Sequence, residues 1–158
     1  MTPEAPEGLI REATEADAEV LARLLNDFNA EFDEETLPSE DLARRYRELL
    51  STGEVRVLLS GEGPDGFAQL HLQGSVYTEG PEAYLGELYV VPEKRGQGLG
   101  RALMDAAMDA ARAAGAEHMS LVTGETDVAA RGLYESKGFT NREGSPDGPV
   151  MLYYERDL

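Results

Sequence analysis

The chain has 158 residues, enough for one domain with a core of its own. Its 31 acidic and 14 basic residues leave a formal charge of −17, which argues against nucleic acid, because phosphate contacts need clustered Lys and Arg. The same charge argues against an anionic membrane surface, and the absence of cysteine excludes disulfides, thiolate metal sites and a cysteine nucleophile. No metal is expected. The surplus of acid suits a cationic small-molecule partner, and equally an acidic surface that serves solubility alone. The opening "MTPEAPEGLIREAT" has no apolar core of a signal peptide. No run approaches the roughly 18 apolar residues of a membrane span. A cytoplasmic protein is the expectation.

Residues 1–8 read as a flexible lead-in, and 9–158 as a single domain. "LIREA" (9–13) is a short strand. Thr14 with Asp17 three residues on can cap a helix, and Val20, Leu21, Leu24, Leu25 and Phe28 then recur at helical spacing. The acidic loop "NAEFDEETLP" follows. Ser39, ahead of Glu40 and Asp41, opens a second helix to about Ser51, its acidic first turn complementing the helix dipole. "EVRVLLS" is a strand and "GEGPDG" a turn. "FAQLHLQGSVY" alternates, with Ala68, Leu70 and Leu72 on one face and Gln69, His71 and Gln73 on the other. "YLGELYVV" is a strand that ends at Pro92. Apolar residues at 99, 103, 106, 107, 110 and 111 predict a helix that stops at Gly115. "HMSLVTG" is a strand, "DVAARGLYESKG" a helix stopped by Gly138, and "FTNRE" and "VMLYYERDL" are two closing strands. The sum is a mixed α/β domain with about seven strands and about four helices.

The stretch "VVPEKRGQGLGRALMDAA" places Gly96, Gly98 and Gly100 at the start of the third helix, with Lys94, Arg95 and Arg101 beside them. A helix start presents unpaired amides and partial positive charge, and glycine lets an anion approach the backbone. The segment reads as a phosphate cradle built mostly from main chain. It is neither a P-loop, since Gly100 is followed by Arg101 and Ala102, nor the dinucleotide pattern, since the position for the third glycine holds Arg101 or Leu103.

The pattern that fits is Arg-x-x-Gly-x-Gly, at Arg95, Gly98 and Gly100. With the preceding strand and its proline, "ELYVVPEKRGQGLGRALM" resembles the acetyl-CoA motif of the GNAT superfamily of N-acetyltransferases, and "AARGLYESKGF" resembles that family's second signature. The order of elements matches over nearly the whole chain. The resemblance implies a GNAT-like, mostly antiparallel sheet and direct transfer of an acetyl group from acetyl-CoA to an amine in a ternary complex. It implies that amides at Arg95, Gly96, Gln97, Gly98, Leu99, Gly100 and Arg101 hold the CoA pyrophosphate. The pantetheine arm would pair with the backbone of Leu88, Tyr89 and Val90. Tyr134 matches the family tyrosine that returns a proton to the departing thiolate. Where the family often has Asn, this chain has Asp127, which suits a helix cap.

An amine of pKa about 10.4 is neutral in only about one part in 2,500 at pH 7, so a base helps. Glu87 occupies the strand position from which relatives act through water; it equally fits an exposed strand carboxylate. His71 is a second candidate, and packing alone also explains it. Phe28 and Phe32, among the carboxylates of the loop after the first helix, are candidates for a cationic acceptor's pocket; packing on the core explains them as well. A non-catalytic acyl-CoA-binding or sensor module would need the glycine turn without Tyr134. The closing strand is expected to pair with a second chain in a homodimer.

Overall fold

The computed structural model describes residues 10–61 and 64–158. The lead-in at 1–8, the first residue of "LIREA" and two residues of the "GEGPDG" turn lie outside these. In chain order the elements are β1 (Ile10–Glu12), a 3-10 turn (Glu15–Asp17), α1 (Ala18–Glu31), α2 (Ser39–Thr52), β2 (Val55–Ser60), β3 (Gly66–Gln73) and β4 (Glu82–Val90). A second 3-10 turn (Pro92–Lys94), α3 (Leu99–Ala113), β5 (Met119–Leu121) and α4 (Val128–Ser136) complete them. At the first helix entry the Thr14 amide donates to Asp17 Oδ2 at 2.8 Å. Arg11 grips both oxygens of the same carboxylate at 2.8 and 2.9 Å. The Arg11 hydrogen bond is the main reason that Asp17 titrates at about 2.

The chain divides into two compact units, Met1–Met119 and Ser120–Leu158. The five strands of the described residues lie in the order β1-β2-β3-β4-β5, and the first three pairings are antiparallel. In the first unit, alternation along the strands sorts side chains to two faces. Val57 and Leu59 of β2, Phe67 of β3 and Tyr89 of β4 join Leu21, Leu24, Ala43 and Tyr46 of α1 and α2 in one cluster. Leu70 of β3 and Ala83 of β4 join Ala111 of α3 in another. The helical pair thus covers one face and α3 the other. α3 ends where the sequence predicts, with Gly115 at φ +92° and its amide bonded to the Arg112 carbonyl.

In the second unit, the Asp127 carboxylate accepts from the Ala130 amide at 3.1 Å and so caps α4. The helix closes at Gly138, φ +90°, as the sequence indicates. No residue between 120 and 158 is fully buried. The two closing strands are a correction: the described residues hold five strands, not about seven. "FTNRE" and "VMLYYERDL" meet only in one bridge, Arg142 with Val150. The Met151 amide donates to Asn141 and the Glu143 amide to Pro149. Pro149 has no N–H to return, and the turn-forming "GSPDGP" supplies no further ladder.

Candidate active site

Two places in the first unit collect the predicted residues. The first is the glycine turn. Gly96 has φ +76° and Gly98, the residue that caps α3, φ +85°. Both conformations are strained for a residue with a side chain. Nothing lies within 4 Å of where a Gly96 Cβ would sit. Residues 92–98 are exposed, while Leu99 folds into the core. The turn therefore carries main chain to the surface directly ahead of a fifteen-residue helix, whose first amides have no intrahelical acceptor. These residues fit an anionic group held by backbone.

The Arg95 side chain is engaged within the protein. Its two terminal nitrogens each donate to one Glu31 oxygen at 2.6 Å, and its Nε donates to the Val90 carbonyl at 2.9 Å. Its guanidinium lies 5.7 Å from the centre of the Tyr89 ring. Arg95 holds the Glu31 carboxyl below the usual carboxylate range. This ion pair joins residues 64 apart in the chain and has no local signal in the sequence.

The second place is the face of β3 and β4 under the helical pair. Tyr89 is buried there, edge-on to Phe28 at 5.1 Å and to Phe67 at 6.3 Å. Phe32, stacked at a tilt 5.3 Å from Phe28, is 55% exposed. Phe28 thus serves the core, and Phe32 opens to solvent. The loop between α1 and α2 is tied back by Asn26, whose side chain donates to the Leu37 carbonyl at 2.7 Å and accepts from the Leu37 amide at 3.1 Å.

Glu87 reaches this face because of a bulge. The register pairs Gln69 with Glu87 and Leu70 with Leu85, so Gly86 is an extra residue on β4. In an unbroken strand Glu87 would share a face with Leu85 and enter the core under α3. The bulge instead places it with Gln69, His71 and Tyr89. A Cβ on Gly86 would stand 2.6 Å from His71 Nε2, so glycine is also what admits the imidazole. A lone glycine inside "YLGELY" is the sequence signal for such a bulge.

Around Glu87 the side chains form a chain of contacts. The Tyr46 hydroxyl donates to Gln69 Oε1 at 2.7 Å, and Gln69 Nε2 lies 3.0 Å from His71 Nε2. With its oxygen committed to Tyr46, the Gln69 amide turns its NH2 toward His71, which accepts through an unprotonated Nε2. Burial lowers the His71 pKa in keeping with a neutral ring. Burial first, and the Glu34 carboxylate second, raise the Glu87 pKa. Burial and the Glu87 charge raise that of Tyr46. Alternation had already put Gln69 on the face of His71; Tyr46 and Glu34 are site neighbours that periodicity could not reveal.

Leu88 and Val90 alternate with Tyr89, and all three run along β3 through Ala68, Phe67 and Gly66. At the other end of β4 the Ala83 amide donates to the His118 carbonyl at 3.1 Å, just before β5. In the second unit, Tyr134 lies on α4, half-buried, with its ring edge-on to Phe139 at 6.2 Å. Among the described residues no cluster of three or more His, Asp or Glu is arranged to hold a metal.

Comparison with known proteins agrees with this architecture. The acetyltransferase (GNAT) family model matches residues 21–139. An aminoglycoside N(6')-acetyltransferase type 1 of Stenotrophomonas maltophilia is 31% identical over 139 residues, covering 85% of this chain and 87% of that protein. A mycothiol acetyltransferase of Beutenbergia cavernae is 43% identical over 72 residues, 44% of this chain; the match spans only 24% of that longer protein. A crystal structure assigned to an acetyltransferase of Arthrobacter sp. FB24 superimposes with a TM-score of 0.89 at 42% identity, over 98% of this chain and 99% of that one. The chain belongs to the GNAT family of acetyltransferases.

Proposed function

We propose that residues 9–158 act as one cytoplasmic N-acetyltransferase domain that uses acetyl-CoA and transfers its acetyl group directly to a small cationic amine. The observation that carries the reading is the exposed turn with Gly96 and Gly98 at positive φ, directly ahead of α3. Acetyl-CoA supplies the activated acetyl group. Amides of residues 95–101 hold its pyrophosphate, and the backbone of Leu88, Tyr89 and Val90 aligns its pantetheine arm as an added strand. Glu87 takes the proton of the incoming ammonium, directly or through one water. Its burial and the neighbouring Glu34 charge support this, since both make it a stronger base than an ordinary carboxylate. His71 assists by packing, because its Nε2 is already met by Gln69. The role of Tyr134 as proton donor to the thiolate rests on the match of "AARGLYESKGF" to the family signature.

The cationic acceptor is supported by Glu34, Asp27 and exposed Phe32 around the loop after α1, and by the aminoglycoside named in one relative. The exposed run Val150, Met151, Leu152, Tyr153 and Tyr154 supports pairing with a second copy. Light scattering after size exclusion should give twice the chain mass, and a monomer at micromolar concentration would refute the pairing. Calorimetric titration with acetyl-CoA, NAD and ATP tests the cofactor; tighter binding of NAD would overturn it. A screen of polyamines, aminoglycosides, amino acids and peptides, read by free thiol release, tests the chemistry. Tight acetyl-CoA binding with no release on any amine would favour a sensor module.

A further inference from the structure

One guanidinium joins three segments of the first unit. Arg95 opens the glycine turn, its Nε holds the carbonyl of Val90 at the end of β4, and its terminal nitrogens hold Glu31, the last residue of α1. Arg95 has five N–H donors, and three are spent in this way. The bidentate contact fixes the plane of the guanidinium as well as its place. Glu31 cancels its charge at 2.6 Å. The Tyr89 ring lies 5.7 Å from it.

We infer that Glu31 is a positioning residue for the cofactor turn: it holds Arg95 as a structural pin between α1, β4 and the turn, so that Arg95 serves acetyl-CoA through its geometry and not as a free charge on phosphate. This rests on the acetyl-CoA reading of the turn. The physical need for a pin is plain in the turn itself. Gly96 and Gly98 leave the backbone its widest freedom, and a cradle made of amides works only when those amides already converge. The residue before them is the natural place to remove that freedom. Glu31 also begins the loop that carries exposed Phe32, so the same carboxylate ties the acceptor side of the molecule to the cofactor turn. Electrostatic attraction for phosphate is then left to the amides of the turn.

The opposite account makes a different prediction. If Arg95 is a phosphate ligand held in reserve, Glu31 competes with the cofactor, and its removal frees a cation and tightens binding. Acetyl-CoA affinity should therefore be measured by calorimetry for the parent, Glu31→Gln, Glu31→Asp, Arg95→Gln and the double variant Glu31→Gln/Arg95→Gln. The pin predicts that Glu31→Gln weakens binding about three- to tenfold, as suits a partly exposed but bidentate pair. Glu31→Asp, which keeps the charge and loses the reach, falls between. The double variant is no weaker than Arg95→Gln alone, because one pin is removed only once. Tighter binding by Glu31→Gln, or additive losses in the double variant, would overturn the inference. A second arm needs no cofactor. In two-dimensional amide spectra of the free protein, Glu31→Gln should move the resonances of Gly96, Gly98 and Gly100 and leave Gly53 and Gly138 in place. Unmoved turn glycines would equally overturn the pin. A parent protein that binds no acetyl-CoA would refute the functional reading, while the spectra still decide the pin.

Discussion

At the scale of single residues, two groups separate an enzyme from a binder. Tyr134→Phe keeps the ring against Phe139 and removes only the hydroxyl. Loss of a general acid typically costs about 10²- to 10⁴-fold in rate. Steady-state kinetics should show that fall in kcat, with acetyl-CoA affinity and melting temperature nearly unchanged. Parental turnover would remove Tyr134 from the chemistry. For Glu87 the sign of the pKa shift gives two linked outcomes. Its folded pKa is raised by burial and then by Glu34, so the folded protein favours the protonated form. The charged form therefore costs stability at neutral pH, and that cost disappears once pH falls below the ordinary glutamate range. Glu87→Gln should melt higher than the parent at pH 7 and equally at low pH, while losing turnover and the acidic limb of its pH–rate profile. A variant that keeps the limb hands the proton to another group. Glu87 and Tyr134 became candidates because each occupies a fixed place in a stretch that resembles a family motif. Tyr46 and Asn26 gave no such signal: Tyr46 bonds to Gln69 across 23 residues, and no periodicity links the two.

At the scale of elements, glycine explains both what the sequence showed and what it hid. The turn before α3 was legible because backbone at positive φ leaves its mark as glycines, here Gly96 and Gly98. Gly98→Asp tests it: a side chain in the left-handed region costs about 1–2 kcal/mol, and a carboxylate repels pyrophosphate. Titration should show acetyl-CoA binding reduced by at least about a hundredfold, roughly 2.8 kcal/mol by the usual conversion; parental affinity would move the cradle elsewhere. The bulge at Gly86 was hidden, although its glycine stood in plain view. Strand alternation alone would have sent Glu87 into the core with Leu85, and only the register between β3 and β4 shows the change of face. The closing strands failed for the converse reason. "VMLYYERDL" has the composition of a strand, but a strand needs a partner ladder, and composition does not supply one.

At the scale of the whole molecule, a charge of −17 on 158 residues is a steady internal pressure. Many carboxylates stand beside few cations, and most ion pairs are exposed, such as Arg47 with Glu19 and Arg112 with Asp109. Screening at 1 M salt shortens the reach of charge to about 3 Å, which relieves repulsion between distant carboxylates more than it weakens pairs in contact. The melting temperature at pH 7 should rise steadily from 0.05 to 1 M sodium chloride; a fall would mean that the pairs outweigh the repulsion. The asymmetry of burial has a further consequence. Fully buried side chains are found in the first unit, and none occurs between 120 and 158, where Tyr134 resides. Hydrogen exchange should accordingly run on two clocks, with the amides of α4 taking up deuterium well before those of β3. Heat would then loosen the helix of Tyr134 while the glycine turn is still folded, so acetyl-CoA binding, on the function proposed above, should outlast turnover as the temperature climbs.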